Sequence, residues 1–264
     1  MGKEKLKKTK ATITNLEKKE MLNVLAEKKD VDVNKNSPVS FTNDVFIKFS
    51  LTGEDATSNL LRNFFCTVAT HYRFNIVHTE VVNSEILPEQ FGLKRIVMDV
   101  VATDDQGRRH NIEIQNQYKD VDFNRWEFYG ARNLSMQLKS GNYYDVIQPE
   151  YQIILTFFTG EAAERNNELI NHYVMRNEKG EVEQENALIN RTYVNLNVID
   201  RIVEEKGVEN LNDFEKLCYL FKHNEPCDTI NTGKLVDAIM KKYDDMKQNE
   251  EVWTMAQRIE EAEL

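Results

Sequence analysis

Asp99 lies in the apolar run Val97-Met-Asp-Val-Val101, and Glu113 and Gln115 lie in Ile112-Glu-Ile-Gln115. Side chains alternate across a strand, so Glu113 and Gln115 share one face and Ile112 and Ile114 the other. Between the runs, Asp104-Asp-Gln-Gly107 reads as a turn that folds the Asp99 strand back beside the Glu113 strand. Two carboxylates on apolar strands are costly to bury unless something neutralises them. A divalent cation does this well. Mg²⁺ takes carboxylate oxygens and keeps water, so Asp99, Glu113 and the backbone carbonyl of Ile114 would make a metal site open to phosphate. None of the five histidines sits near a Ser or Cys in a way that suggests a triad, so covalent catalysis finds no support.

The elements that must hold these residues can be read outward from the hairpin. Its strands are expected over 95–103 and 110–117, after an earlier strand over 75–87 that Pro88 ends. Upstream, the polar stretch 37–43 contains Pro38 and reads as an entry loop. Thr42 or Asn43 can cap a helix that begins near Asp44 and breaks at Thr52-Gly53. A second helix is expected over 55–71, with Leu61, Phe65 and Cys66 on its apolar face. Downstream, Phe123, Trp126, Tyr129 and Leu134 recur at helical spacing over 122–140, and Gly141 is the expected stop. The run Tyr151–Phe158 is largely apolar, which suits a central strand buried on both faces with the preceding helix as its crossover. The order helix, strands, helix, strand gives an α/β layered plan. Two further β-like runs, 169–176 and 187–198, flank Asn177-Glu-Lys-Gly180. A short helix follows over 212–223 and a long acidic one over 233–262, whose stripe of Leu235, Ile239, Tyr243 and Met246 must pack on the core or on a partner.

Composition narrows the class. With 264 residues, 41% hydrophobic and 30% charged, the chain can bury a sizeable core, and wholesale disorder is excluded. No run approaches the ~20 apolar residues of a membrane helix. The net charge of −10 gives no overall attraction to nucleic acid, though it leaves room for a local basic groove. Cys66, Cys218 and Cys227 are too few and too scattered for a disulfide framework. Cys218, His223 and Cys227 lack a fourth ligand and read as local packing rather than zinc. The basic start Met1–Lys10 has no apolar segment after it, so no signal peptide is read and the expected home is cytoplasmic. The expected division is a charged arm at 1–36, a core at 37–160, and a C-terminal β-hairpin with a helical extension at 161–264.

An apolar strand ending in Asp, followed by Glu-x-Lys on the next strand, is the signature of the PD-(D/E)XK nucleases. The Glu-x-Gln form here resembles one branch, the Rpn-type recombination-promoting nucleases and transposases. Asp44-Val-Phe-Ile-Lys48 resembles that branch's opening Asp-x-x-Phe-Lys. Asn83-Ser-Glu85, Lys94, Asp99 and Asn111-Ile-Glu-Ile-Gln115 follow in order, and Arg125, Tyr129, Gln137, Gly141 and Tyr144 fit the next helix. The likeness covers about residues 39 to 160, with a looser match to about 223.

The resemblance implies a restriction-endonuclease-like core, a mixed sheet flanked by helices, and Mg²⁺-dependent DNA cleavage, with Mn²⁺ as a substitute. Asp99, Glu113 and Ile114 would hold the metal, and Asp44 and Lys48 would join the catalytic set. Lys94 and Arg125 would contact the phosphate. Gln115 would stand where the superfamily has lysine, a change from a cation to a neutral amide. The missing charge must then come from the metal, Lys48, Lys94 or Arg125. Plainer roles remain open at this stage. Asp99 could pair with Arg95 or Arg109, Asp44 could serve the helix dipole, and Arg125 could pair with Glu127 or a site carboxylate. The competing function is a DNA-binding or protein-binding module with little catalysis. A weaker reading is a scaffold that self-associates, with a homodimer formed through the C-terminal helices.

Overall fold

In the computed structural model the described residues are 37–82, 85–86, 96–138, 141 and 143–263. The arm at 1–36 and Lys94 and Arg95 lie outside them. Asn43 caps the first helix, α1 (Asp44–Thr52), its Oδ1 accepting from the backbone N–H groups of Val45 and Phe46. Asp55 does the same for α2 (Ala56–Ala69) through Thr57 and Ser58. The sheet strands are β1 (Thr79–Val82), β2 (Glu85–Ile86), β3 (Ile96–Val97), β4 (Val100–Asp104) and β5 (Arg109–Gln115). Then come α3 (Asp122–Ser135), β6 (Glu150–Thr156), α4 (Gly160–Arg165), β7 (Ile170–Tyr173) and β8 (Ile189–Asn195). Four helices end the chain: α5 (Ile199–Lys206), α6 (Asp213–His223), α7 (Lys234–Lys247) and α8 (Glu250–Glu263).

Six strands form one mixed sheet in the order β1-β4-β5-β6-β8-β7, and β2 and β3 pair separately. β1, β4 and β5 run antiparallel, β5, β6 and β8 parallel, and β7 antiparallel to β8. The parallel step from β5 to β6 needs a crossover, and α3 supplies it. Every residue of β6 is buried, including the polar Glu150, Gln152 and Thr156 that stand among its apolar side chains. One face of the sheet, with Ile112, Ile114, Ile153 and Leu155, packs under Phe46 of α1, Phe65 of α2, Leu217 of α6 and Ile239 of α7. On the other face Ile154 and Tyr193 pack against Trp126 of α3. This is a restriction-endonuclease-like α/β architecture.

Several elements depart from the sequence expectation for identifiable reasons. The strand expected from residue 75 starts at Thr79, because side chains of α2 take the backbone groups before it. Thr67 accepts from Ile76 N–H at 2.9 Å, and Asn63 donates to the Val77 carbonyl at 2.8 Å. The strand expected over 95–103 is broken at Met98-Asp99 into β3 and β4. The helix expected to run to Gly141 ends at Ser135; Gln137 instead clasps the backbone of Gln148 in two hydrogen bonds. β7 and β8 pair antiparallel, and β8 also joins β6, so the sheet continues past residue 160.

The long C-terminal helix is two helices, with Asn249 starting the second by accepting from Val252 N–H at 3.3 Å. The stripe of Leu235, Ile239, Tyr243 and Met246 is buried against the chain's own core, so it offers no free seam for a second copy. Helix α8 then braces the entry loop. Asn43 donates to the Ala256 carbonyl and to Glu260, and Gln257 donates to the Ser37 carbonyl. The far end of the chain thereby fixes the cap that orients α1 and its Asp44 and Lys48. Among the described residues no helix is long and apolar enough to cross a membrane.

Candidate active site

The break between β3 and β4 builds the site. Val100 stands opposite Ile112, and one more step in that register puts Asp99 opposite Glu113. Their carboxylates therefore share a face of the sheet. With the ladder interrupted, each carboxylate takes a backbone donor from the other strand. Asp99 N–H donates to Glu113 Oε1 at 3.3 Å, and Ile114 N–H donates to Asp99 Oδ2 at 3.2 Å. In a strand the N–H and C=O of one residue point the same way, so the Ile114 carbonyl also faces the broken side. Asn111, two residues before Glu113 on the same face, adds a hydrogen bond to Oε1 at 3.3 Å.

Glu113 is 5% exposed. Burial, and then the charge of Asp99, push its carboxyl well above the usual carboxylate range; Arg125 and the hydrogen bonds from Asn111 and Asp99 pull only partly the other way. Lys48 Nζ lies 3.6 Å from Asp99 Oδ1. The pair opens into a cleft of 560 Å³ lined by Asp44, Lys48, Asp99, Glu113, Ile114, Gln115 and Arg125, and also by Lys119 and Tyr129. Among the described residues three acidic and three basic side chains line the same space, so their charges are matched at this cleft.

Seven of the eight residues singled out from the sequence thus converge; the eighth, Lys94, lies outside the described residues. Their contacts differ in detail from the sequence reading. Asp99 meets Lys48, whereas Arg109 is drawn to buried Glu150. Arg125 contacts Gln115 and Asp122, while Glu127 is taken by Arg191. Gln115 shares the face of Glu113, but its amide does not turn to the carboxylate pair: its Oε1 accepts from Arg125 and its Nε2 donates to the Gln117 carbonyl. Cys218 is buried in the core, and His223 is hydrogen-bonded to Asp200 at 2.7 Å.

Asn111 stands in the motif read from the sequence but has no role there, and Asn116 and Lys119 were not foreseen. Asn111 was detectable by the two-residue period that places it on the face of Glu113. Asn116, which donates to the Thr42 carbonyl at 3.4 Å and ties the end of β5 to the entry loop, and Lys119 sit past the strand, where periodicity carries no signal.

The donors fit a hard divalent cation: two carboxylates, one of them buried and poorly compensated, and a backbone carbonyl, all oxygen. Among the described residues no group of three or more His, Cys, Asp or Glu could cage a metal. Two carboxylates with water and substrate phosphate completing the shell is the arrangement Mg²⁺ favours.

A mixed sheet crossed over by one helix, with an acidic pair where an edge-side strand breaks, defines a nuclease core of the restriction-endonuclease type. The family model described as PD-(D/E)XK nuclease family transposase matches residues 41–263, and the chain belongs to that family. Comparison with curated proteins and with solved structures gives no match. The family places the chain's function among nucleases and transposases.

Proposed function

We propose that this protein is a metal-dependent DNA endonuclease acting in recombination or in the movement of mobile elements in the cytoplasm. The observation that carries the reading is the Asp99–Glu113 pair, held across a broken strand with a buried carboxylate that nothing among the described residues fully neutralises. Asp99, Glu113 and the Ile114 carbonyl would hold Mg²⁺, and Mn²⁺ suits the same oxygens. When bound, such an ion lowers the pKa of a water and takes up charge on a phosphate. The protein's own groups do the rest. Lys48, from α1, holds Asp99 in place and can follow the water's proton loss electrostatically. Asp44, one turn earlier, borders the same cleft and can orient that water. Arg125 and Lys94 would grip the phosphate. Family membership supports DNA as the substrate.

Supercoiled plasmid incubated with the protein should be nicked or linearised with Mg²⁺, and left intact with chelator or with Glu113→Ala. A second reading, DNA binding with little cleavage, draws on the neutral Gln115 in the lysine position and on the net charge of −10. It predicts plasmid retardation without nicking under the same conditions.

A further inference from the structure

Gln115 is committed at both ends of its amide. Oε1 accepts from Arg125 Nη2 at 2.5 Å, and Nε2 donates to the Gln117 carbonyl at 3.1 Å. A guanidinium only donates and a carbonyl only accepts, so this is the amide orientation that satisfies both neighbours. Arg125 stands on the first turn of α3, partly exposed, with Nη1 3.7 Å from Asp122 Oδ1. It reaches the cleft beside Glu113. Of the other described cations of the cleft, Lys48 leans on Asp99 rather than toward position 115, and Lys119 lies past the end of β5.

A lysine at 115 would bring an ammonium to the place where Oε1 now receives the guanidinium, setting two like charges together in a partly buried cleft. We propose that the cation of this site has moved from strand to helix: Arg125 grips the phosphate, and Gln115 is the residue that positions it. This rests on the nuclease reading above. It reassigns Gln115 from a participant to a support, and it makes positions 115 and 125 interchangeable carriers of one charge. The guanidinium suits the role because a planar fork can be held by one nitrogen while others face a phosphate.

The test is a double-mutant cycle on the full chain with Gln115→Lys, Arg125→Gln and the combination. It is read by plasmid cleavage in Mg²⁺ and by the affinity for a short labelled duplex in chelator. Each single variant should cleave roughly ten- to a hundredfold more slowly, as expected when one charge stabiliser is lost or misplaced. The double variant, with one cation restored, should return to within about threefold of wild type and recover the metal-free duplex affinity that Arg125→Gln loses.

Gln115→Lys as active as wild type, or a double variant no better than the poorer single, would overturn the proposal. If Gln115→Lys does not fold, Gln115→Leu takes its place. Its loss should vanish in the Arg125→Gln background, and undiminished additivity would overturn the proposal equally. A wild type that never cleaves, yet shows rescue of duplex affinity in the double variant, would sink the nuclease reading and leave the Arg125–Gln115 grip standing. Cleavage by wild type without rescue in either readout would do the reverse.

Discussion

The two ends of one hairpin treat a buried acid in opposite ways. At the turn end, Asp104 is satisfied on every side. Its Oδ1 accepts from Gln106 and Arg108 N–H at 2.9 and 3.0 Å, and its Oδ2 meets Arg108 Nε at 2.7 Å and His110 Nε2 at 2.9 Å. Burial alone would raise this carboxyl, but the His110 and Arg108 bonds outweigh it and bring the pKa down to about 2. At the open end, Glu113 is as deeply buried but has two long hydrogen bonds and a like charge opposite, and its pKa moves up. One acid is spent on closing the turn. The other is left incomplete, and that incompleteness is what a bound cation would relieve.

The contrast makes graded predictions. Asp99→Ala should reduce plasmid cleavage by about a thousandfold, the upper range for loss of one electrostatic stabiliser, with the melting temperature little changed. Asp104→Ala should invert that pattern. Removing one partner of a buried ionic cluster costs about 3 kcal/mol, visible as a lower urea midpoint, while cleavage by the folded fraction at low temperature stays near wild type. The smallest effect concerns Glu113 without metal. A raised carboxyl pKa stabilises the fold fully below the ordinary value of 4.5, and this contribution is lost as pH rises through the folded value. Glu113→Gln should therefore raise the metal-free melting temperature at pH 8 by about 2–4 °C and leave it nearly unchanged at pH 4. A destabilised Glu113→Gln at pH 8 would mean that the carboxylate is already compensated.

Much of this arrangement was legible in the sequence. The alternation of Ile112-Glu-Ile-Gln115 placed Glu113 and Gln115 on one face, and the Asp104–Gly107 turn brought the Asp99 strand beside theirs. The largely apolar run of β6 announced a central strand. What local patterns could not carry is what depends on distant partners. The break at Asp99 follows from a backbone N–H taken by Glu113, and the late start of β1 from Thr67 and Asn63 on α2. The division between α7 and α8 falls where the chain must turn back to reach Asn43. The orientation of Gln115 depended on an arginine ten residues on, across the start of α3, and a two-residue period has nothing to say about it.

Whether the Asp99–Glu113 pair holds an ion decides the nuclease reading most directly. Calorimetric titration of Mn²⁺ into the protein, alone and with a duplex present, should give saturable binding of about one ion by wild type and by Asp104→Ala kept below its melting range. Neither Asp99→Ala nor Glu113→Gln should bind. Binding that persists unchanged in both of those variants, or is absent from wild type even with DNA, would contradict the assignment of this pair as the metal site.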